Sequence, residues 1–383
     1  MIHYFMIWGE NPLGRKLAYS PAGLKKAKYV FDVLSRIDKT RVVSFASGGR
    51  NWNGFYHQSF ALDEDSREII YCSTFGSSSK YLRMLERWFN IVQMTLYLIR
   101  IPKHDIAVFY HERYFRHAMR FCRLLRRSPK YVLQVEEVYT LAGNHRKDMI
   151  YKELKSIINA DAYILVNDLL SSVLHLDVSK PSCVSYGPYR VQASSIMPMP
   201  TDSKVHVVYA GIIDQIKRGA EMAVKASRFL PNNYCVHIAG FGKQEDIAYL
   251  LSLIEEVRKG SECEILYEGC LSGSDYDKLM NRCSIGLSTQ VSGELKYSET
   301  SFPSKVINYL SYGLTVVSTR IQVLEKCKVA DLLSFYESDR PDLIAEAILN
   351  SPIIDKEVAK DRIHELDNQF EANLKKVIQC LQR

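Results

Sequence analysis

At 383 residues the chain is long for a single hydrophobic core, so two domains are expected. Its hydrophobic content of 47% and charged content of 24% are those of a globular protein and exclude intrinsic disorder. The net charge of +7 is unevenly distributed, with +11 in residues 1–200 and −4 in the remainder. This asymmetry predicts that the first half meets an anionic surface.

The nine cysteines are scattered, with no C-x-x-C pair and no Cys/His cluster at metal-ligand spacing. An odd count in a large chain predicts reduced thiols and a cytoplasmic compartment. The apolar start, residues 2–8, is short and lacks a basic leader, so no signal peptide is expected. No apolar run reaches transmembrane length without polar interruption.

Strands and helices alternate through the first half. Strands are predicted at 2–8, 41–46, 105–110, 131–135 and 162–166. Helices are predicted at 24–37, 80–101, 113–127 and 148–159. Residues 10–23 are predicted to be a polar loop, and residues 51–60 an aromatic-rich irregular segment. The alternation indicates a parallel sheet with helices on both faces.

A Pro-, Ser- and Met-rich stretch from 181 to 201 interrupts the alternation and indicates a linker. Strands are then predicted at 205–210, 234–239, 263–267, 284–288 and 314–317. Helices are predicted at 219–229, 244–259 and 274–282, near Pro303, and from about residue 339 to the end.

The fold class is therefore α/β, with two Rossmann-like doubly wound parallel-sheet domains facing a cleft. We place a first domain at 1–190, a linker at 191–204 and a second domain at 205–350. Residues 351–383 are expected to form helices that pack back on the first domain. Ligands of such sheets bind at the carboxyl ends of the strands, which favours the cleft as the site.

Residues 298–319 carry the strongest local signal. Ser301 or Ser304 is expected to cap a helix that begins near Pro303, and Gly313 is expected to end it. The free N–H groups at the start of this helix carry partial positive charge, and Lys305 lies beside them. This pattern predicts a cradle for the diphosphate of a nucleotide.

A second pattern, V-V-Y-A-G-I-I-D-Q-I-K-R-G at 207–219, predicts a strand that ends at Gly211. A short loop then leads to Lys217 and Arg218 at a helix start. These cations suit a nucleotide-linked diphosphate. As isolated features they are more often ordinary surface charges.

Two further strand ends carry weaker signals. V-H-I-A-G-F-G at 236–242 ends in Gly240 and Gly242, which predict a close approach of backbone to ligand. It lacks the third glycine of a dinucleotide fingerprint. L-Y-E-G-C-L-S-G at 266–273 places backbone groups of Cys270 and Leu271 where they can contact a base, although a plain turn is at least as common.

Together these patterns make residues 205–320 resemble the donor-binding domain of the family 4 glycosyltransferases, which are retaining enzymes of the two-Rossmann-domain GT-B type. The residues that carry the resemblance are Gly211 with Lys217, Gly240-Phe241-Gly242, Glu268-Gly269, and Phe302-Pro303-Ser304-Lys305 through Gly313. The first half resembles the family only in architecture, together with V-E-E-V-Y at 135–139 and the A-D-A-Y-I-L-V-N strand.

The resemblance implies transfer of a sugar from a nucleotide sugar with retained anomeric configuration and without a metal. Catalysis then needs charge stabilisation of the leaving diphosphate, by Lys217, Lys305 and Arg218, with Glu299 near the donor sugar. The implied donor-binding residues are Gly211, Lys217, Arg218, Gly240, Gly242, Cys270, Leu271, Ser301, Phe302, Pro303, Ser304, Lys305 and Asn308.

The sequence departs from the family at the position of a ribose-binding glutamate, which is Asn308 here. An amide still hydrogen-bonds a ribose hydroxyl, but without charge. The family's first loop glutamate falls at Thr300, one residue from Glu299. Ile212 and Ile213 occupy the places of a common arginine, which leaves the charge to Lys217 or Arg218.

In the first half, His111 ends a predicted strand and is a candidate to polarise or deprotonate an acceptor hydroxyl, although a lone histidine is more often structural. Gly23, in the loop after the first strand, is a candidate acceptor contact. Glu136 and Glu137 follow the strand at 131–135. One of them is expected to meet the acceptor and the other to be structural.

Arg116, Arg120, Arg123 and Arg127 recur at helical spacing and form one arginine face. The preceding helix is rich in Trp, Phe, Tyr, Ile and Leu. Together they predict peripheral contact with anionic lipid headgroups. The alternative is a core helix beside a solvated basic face.

The sequence therefore predicts a hexosyltransferase-type enzyme of surface polysaccharide biosynthesis with a lipid-linked or oligosaccharide acceptor. It is expected to be cytoplasmic and peripheral on the inner face of the cell membrane, with no nucleic-acid partner. The alternatives are a nucleotide-sugar epimerase of the same fold and a catalytically degenerate binding or scaffold subunit. The donor base and sugar are left open.

Overall fold

The structure is a computed structural model that describes residues 1–10, 13–48, 53–110, 115–125, 128–138, 147–192, 202–289 and 299–382. The chain divides into two compact units. Unit 1 comprises residues 1–188 and 369–383, and unit 2 comprises residues 189–368. The boundary at 368/369 falls inside the last helix, so the end of the chain belongs to unit 1.

Unit 1 is built on a mostly parallel eight-stranded sheet of the described residues, in the order β10-β9-β8-β7-β1-β2-β5-β4, with an antiparallel ribbon β3-β6 beside it. Its strands are β1 (Ile2–Met6), β2 (Thr40–Ser44), β3 (Gly54–Tyr56), β4 (Ser59–Leu62), β5 (Glu68–Tyr71), β6 (Thr74–Gly76), β7 (Ile106–Tyr110), β8 (Tyr131–Val135), β9 (Ala162–Leu165) and β10 (Ser182–Val184). Its helices are α1 (Pro21–Ile37), α2 (Lys80–Leu98), α3 (Phe115–Leu124), α4 (Lys147–Ile158) and α5 (Leu170–Val173).

The alternation predicted for unit 1 is confirmed, and two local predictions are wrong. The segment at 51–60 is not irregular in its described part, because residues 54–56 form β3 and Ser59–Leu62 forms β4, which pairs antiparallel with β5. The proline-rich stretch from 181 onward contributes β10, which pairs in parallel with β9. In both places the strands are only three or four residues long, so periodicity gives little signal.

A buried polar network fixes α1 against the carboxyl end of β8. Lys26, which is 7% exposed, places its Nζ 2.6 Å from a carboxylate oxygen of Glu136 and donates to the carbonyl of Ser185 at 2.7 Å. The side-chain amide of Gln134 donates to Glu136, and the Tyr4 hydroxyl donates to Gln134, each at 2.7 Å. Burial, and secondarily the charge of Glu136, raise the pKa of Tyr4 well above its usual value.

Lys26→Met is expected to lower the free energy of unfolding of unit 1 by about 3–5 kcal/mol, because it leaves the carboxyl group of Glu136, whose side chain is only 14% exposed, without its cation. Urea unfolding followed by tryptophan fluorescence measures this in unit 1 alone, since the three tryptophans all lie within residues 1–88. Lys28→Met, on the same helix with the exposed partner Glu10, is the control and should cost about 0–1 kcal/mol. Equal costs for the two variants would contradict a stabilising role of the Lys26–Glu136 pair.

Unit 2 has a six-stranded parallel sheet of the described residues in the order β13-β12-β11-β14-β15-β16. Its strands are β11 (Val205–Ile213), β12 (Tyr234–Gly242), β13 (Glu264–Gly269), β14 (Ile285–Ser288), β15 (Thr315–Thr319) and β16 (Leu333–Tyr336). Its helices are α6 (Gly219–Ser227), α7 (Gln244–Arg258), α8 (Gly273–Arg282), α9 (Ser304–Ser311), α10 (Gln322–Glu325) and α11 (Pro341–Asn350), and α12 (Lys356–Gln382) continues into unit 1. This is the 3-2-1-4-5-6 order of a dinucleotide-binding sheet, whose direction of winding reverses between β11 and β14.

The core of unit 2 consists of apolar residues from the strands and from α6, α7 and α11. β11 and β12 each run nine residues and are longer than predicted. Gly211 therefore does not end its strand, Gly240 lies inside β12, and Gly242 is the last residue of β12, where the pattern predicted the strand to end. The register pairs Gly211 with Gly240 and Ile213 with Gly242, so the ladder extends through the glycines.

The last residues of the chain pack on α1. The ring of Phe370 stacks on Tyr29 with centroids 5.8 Å apart, and Glu371 lies 2.6 Å from the guanidinium of Arg36. These contacts account for the grouping of residues 369–383 with unit 1.

Within the part of the chain that the structure describes, no helix is both long and apolar enough to cross a membrane.

Candidate functional site

The start of α9 lies at the carboxyl edge of the unit 2 sheet, after the loop from residue 299. Neither Ser301 nor Ser304 occupies the cap position, which was predicted for one of them. Pro303 is the N-cap residue, no side chain caps the helix, and Ser304 is its first helical residue. The predicted end is confirmed. Gly313 has φ +77°, its N–H bonds Leu310, and the next N–H bonds Tyr309, as in a glycine-terminated helix.

Tyr309 fixes α9 to the point where the sheet reverses direction. Its buried hydroxyl accepts the N–H of Ala210 on β11 at 2.9 Å and donates to the carbonyl of Leu287 on β14 at 3.2 Å. Gly286 lies beneath the ring, where an added Cβ would come within 2.4 Å of it. Tyr309 was not predicted as a site residue, because in the sequence it is one more apolar position of an amphipathic helix.

Lys305 reaches back from the first turn of α9 to β11. Its ammonium nitrogen lies 3.6 Å from the ring centroid of Tyr209. A Cβ at Gly211 would approach Nζ to 2.7 Å, so a side chain at that position would displace the end of the lysine from its present place. Burial, and secondarily the positive charge of Lys217, lower the pKa of Lys305 to about 7. The described residues show no carboxylate paired with this amine.

Lys217 and Arg218 lie in the loop between β11 and α6. Asp214 shapes this loop by accepting the backbone N–H of Lys217 at 3.0 Å. The structure brings Lys217 close enough to lower the pKa of Lys305. Arg218, by contrast, is paired with Glu221, with its Nη2 2.8 Å from the carboxylate. Lys217 is thus the loop cation next to Lys305, while Arg218 already has a carboxylate partner.

The packing of the two strands explains why positions 240 and 242 are glycine. A Cβ at Gly240 would lie 1.8 Å from the carbonyl oxygen of Gly211, and a Cβ at Gly242 would lie 2.2 Å from that of Ile213. Both glycines therefore let β11 and β12 stay paired up to the edge of the sheet. Their predicted contact with a donor stays a prediction.

The remaining predicted donor residues lie on two loops and on α9. Asn308 donates to the Tyr276 hydroxyl at 2.8 Å, so α8 orients its amide. With the Gln322 amide oriented to satisfy both of its partners, its nitrogen donates to Glu299 at 2.9 Å. Cys270, which is exposed, and Leu271 follow the end of β13, as predicted.

The residues before α9 differ in burial. Phe302 is 8% exposed and Pro303 is buried, whereas Ser301 is partly buried and Ser304 is exposed. The apolar pair thus anchors the loop, and Ser304 presents its hydroxyl to solvent at the helix start.

The acceptor candidates of unit 1 have separate surroundings. Lys26 and Gln134 hold Glu136, which favours Glu136 as the structural one of the pair, and the acceptor contact of either glutamate stays a prediction. Glu137 is partly exposed. Gly23 was predicted in a loop but lies in the first turn of α1, where its N–H donates to the Ser20 hydroxyl at 3.3 Å. His111 lies outside the described residues.

Helix α2 is not a regular amphipathic helix, because its buried side carries polar residues as well as Ile91, Met94 and Leu98, and most of its exposed side chains are apolar. The polar residues Glu86, Asn90 and Thr95 are buried, and Glu86 accepts the Thr74 hydroxyl at 2.7 Å. The outward side is apolar, with Tyr81 78% exposed. The neighbouring α3 adds Leu124, which is 71% exposed. We define the α2–α3 apolar face as the exposed residues Tyr81, Leu82, Met84, Leu85, Trp88, Val92, Leu96, Phe121 and Leu124.

Arginines of α3 border this face. Arg120 is exposed, and the described residues show no ion pair for it. Burial is the largest cause of the lowered pKa of His117, and the charges of Arg116 and Arg120 lower this pKa further. The Arg123 guanidinium donates to the carbonyl of Asn159 at 2.9 Å. Arg127 lies outside the described residues.

Two doubly wound units, one with a basic helix start at its sheet's reversal point, define an α/β protein of the Rossmann-like class. The chain is similar along its whole length to a UDP-forming α,α-trehalose-phosphate synthase from Burkholderia xenovorans solved with glucose-6-phosphate. The two share 11% identity with a TM-score of 0.65 and coverage of 100% of both chains.

Two further solved structures show the same likeness. The lipopolysaccharide outer core galactosyltransferase WaaB gives a TM-score of 0.64 at 12% identity, over 99% of both chains. Anabaena Alr3699/HepE in complex with UDP and glucose gives 0.59 at 14% identity, over 96% of this chain and 95% of that one. The chain therefore has the GT-B fold, as predicted. Protein-family models and the sequences of curated proteins gave no match.

Proposed function

We propose that the protein is a GT-B glycosyltransferase that moves a sugar from a nucleotide-sugar donor to a glycan acceptor. One observation carries the proposal: Lys305, Lys217 and the free N–H groups of α9 converge where the unit 2 sheet reverses direction. In sheets of this order that point is where nucleotides bind. Neither lysine has a carboxylate ion partner among the described residues, and two such cations suit a diphosphate.

The proposed chemistry is electrostatic. As the bond between the sugar and the diphosphate breaks, negative charge grows on the leaving oxygen. Lys305, Lys217 and the positive end of α9 lie where they can stabilise it without a metal. Arg218 contributes once a ligand competes with Glu221 for its guanidinium. Retention of configuration and membership in family 4 follow from the sequence resemblance and are part of the proposal.

The other donor contacts are proposed by position. Asn308, oriented by Tyr276, hydrogen-bonds a ribose hydroxyl, and backbone groups of Cys270 and Leu271 contact the base. Glu299 contacts a hydroxyl of the donor sugar. Ser301 and Ser304 contribute donors next to the diphosphate, on a loop anchored by Phe302 and Pro303.

We further propose that the α2–α3 apolar face docks on an anionic membrane surface. The inner leaflet of a cell membrane is such a surface. An exposed apolar side with polar residues buried behind it suits lipid, and Arg120 supplies charge that is complementary to the headgroups. A lipid-linked acceptor of surface polysaccharide synthesis fits such a location. Among the solved structures with this fold, WaaB is named as a lipopolysaccharide galactosyltransferase.

The test begins with calorimetric titration of the full chain with UDP, GDP and their hexose conjugates. Binding of one nucleotide family is expected. Incubation of that nucleotide sugar, radiolabelled, with a membrane extract should then move label into lipid-linked glycan and release free nucleotide. Epimerised donor without transfer would identify the nucleotide-sugar epimerase instead. The absence of nucleotide binding would favour a scaffold subunit, which the neutral Asn308 makes worth testing.

A further inference from the structure

Unit 2 contains a buried cluster of metal-binding side chains that the proposed transferase does not use. His206 on β11 and Cys235 and His237 on β12 each offer one ligand atom, and these atoms lie within 4.8 Å of one another. All three residues are at most 1% exposed. The register pairs His206 with Cys235, and His237 is two residues further on, so all three point to the same face of the sheet.

Carboxylates fix the outer nitrogen of each imidazole. The Nε2 of His206 lies 2.9 Å from Asp202, and the Nδ1 of His237 lies 2.7 Å from Glu268. An ionised carboxylate only accepts hydrogen bonds, so each of these ring nitrogens carries the proton. Histidines that bind metals are typically held in this way, by a carboxylate on the far nitrogen.

The inner nitrogens then face each other with lone pairs. The Nδ1 of His206 and the Nε2 of His237 are 2.8 Å apart, which is hydrogen-bond distance, so either a shared proton or a metal ion lies between them. A proton alone would satisfy the two rings, and the thiol of Cys235 would then keep only its hydrogen bond to Glu264. A metal ion uses all three groups, since a thiolate and two neutral imidazoles form a ligand set of borderline-soft metals.

We infer that His206, Cys235 and His237 bind a transition-metal dication of the Zn²⁺ class. Tetrahedral Zn–N bonds of about 2.0–2.1 Å place two nitrogens about 3.3 Å apart, so the rings need to separate by only about 0.5 Å. The thiol loses its proton on binding. Three protein ligands leave one position for a solvent-derived fourth.

The inferred metal has a structural role at the β11–β12–β13 side of the sheet. Glu268, which holds His237, immediately precedes Gly269 at the end of β13. The metal would therefore tie β11 and β12 together and fix the strand that leads into the Cys270–Leu271 loop. It is separate from Lys305 and Lys217, and the inference does not depend on the proposed transferase activity.

The test uses the untagged full chain with exposed Cys270 and Cys380 replaced by serine, so that surface thiols do not contribute. After removal of metal with a chelator, equilibrium dialysis against Zn²⁺ should leave one ion per chain and raise the thermal midpoint. Co²⁺ in its place should give a near-ultraviolet thiolate-to-cobalt charge-transfer band. A chain that retains no Zn²⁺, or a Co²⁺ spectrum without that band, would overturn the inference.

Two variants locate the ion. Cys235→Ser should abolish the charge-transfer band and weaken Zn²⁺ binding at least about 10-fold. Cys263→Ser is the matched control, because this buried thiol belongs to the apolar core and faces the carbonyl of Tyr234, and it should bind as the parent does. Glu268→Ala should weaken binding by about 10- to 100-fold through loss of the carboxylate behind His237. Equal affinity of the parent and Cys235→Ser would place the metal elsewhere. If Cys235→Ser does not fold, the parent's cobalt spectrum decides alone.

Discussion

Lys305→Met is expected to weaken binding of the preferred nucleotide, UDP or GDP, by about 10- to 100-fold while raising the thermal midpoint of unit 2. The lost affinity corresponds to one hydrogen bond to a charged group, about 1.5–3 kcal/mol. The gain in stability follows because the wild-type amine is held beside Tyr209 and Lys217 with its pKa lowered to about 7, so folding acts against its charged form. Titration calorimetry and scanning calorimetry of the same samples measure both effects.

The same lysine predicts how affinity depends on pH. A bound diphosphate favours the ammonium form and raises the pKa of Lys305, so binding above pH 7 takes up a proton. Affinity should therefore be constant well below pH 7 and fall by up to about tenfold per pH unit above it. For stability the sign is opposite. The folded pKa lies below the unfolded value of 10.5, so the unfolded state binds more protons in this window, and the free energy of unfolding rises from pH 7 toward 10.5.

The control is Lys204→Met, which removes a lysine at the opposite end of the sheet, where it pairs with Glu264 at 2.8 Å. It should leave nucleotide affinity and its pH profile unchanged. Calorimetry in buffers of different ionisation enthalpy would show proton uptake in the wild type and none in Lys305→Met. If Lys305→Met bound nucleotide as tightly as the wild type, the diphosphate site would not be at the start of α9.

The sequence predicted the glycine, the lysines and the helix start of this site because each of these is a local pattern of neighbouring residues. Gly211 and Lys217 stand at short range before the start of α6, Lys305 stands in the first turn of α9, and the strand order then brings these residues to one edge. What fixes them there was not predictable in the same way. Tyr309 bonds β11 and β14 across 99 and 22 residues, and Lys26 meets Glu136 across 110.

The same limit applies to His206, Cys235 and His237. No metal-binding spacing exists in the sequence, because two of the residues are neighbours along one strand and the third comes from another strand 29 residues away. Only the register of β11 with β12 makes them a cluster. Similarly, the apolar residues of α2 predicted either contact with lipid or a core helix, and the exposure of Tyr81 and Trp88 in the structure is what shows that many of them face outward.

Replacing Leu85 and Trp88 together by glutamate is expected to abolish binding of the full chain to anionic vesicles. Burying such a side chain in an apolar phase is worth about 1.5–3 kcal/mol, and the added carboxylates are repelled by the headgroups. Arg120→Gln should weaken binding about fivefold, near 1 kcal/mol for one basic residue at a charged surface. Both side chains of the double variant are already exposed, at 55% and 52%, so the fold should not change.

Co-sedimentation with phosphatidylglycerol-containing and with purely phosphatidylcholine vesicles separates the two contributions. The wild type should bind the anionic vesicles more strongly, and salt should reduce the difference, since surface charges are screened within about 10 Å at 0.1 M. Leu251→Glu, on α7 with 42% exposure, is the matched control and should bind as the wild type does.

Transfer to a soluble acceptor should survive the Leu85/Trp88 replacement, while transfer to a membrane-bound acceptor should fall. The reason is that the α2–α3 apolar face would deliver the enzyme to its acceptor without taking part in chemistry. If the double replacement left vesicle binding unchanged, the α2–α3 apolar face would not be the membrane-binding surface.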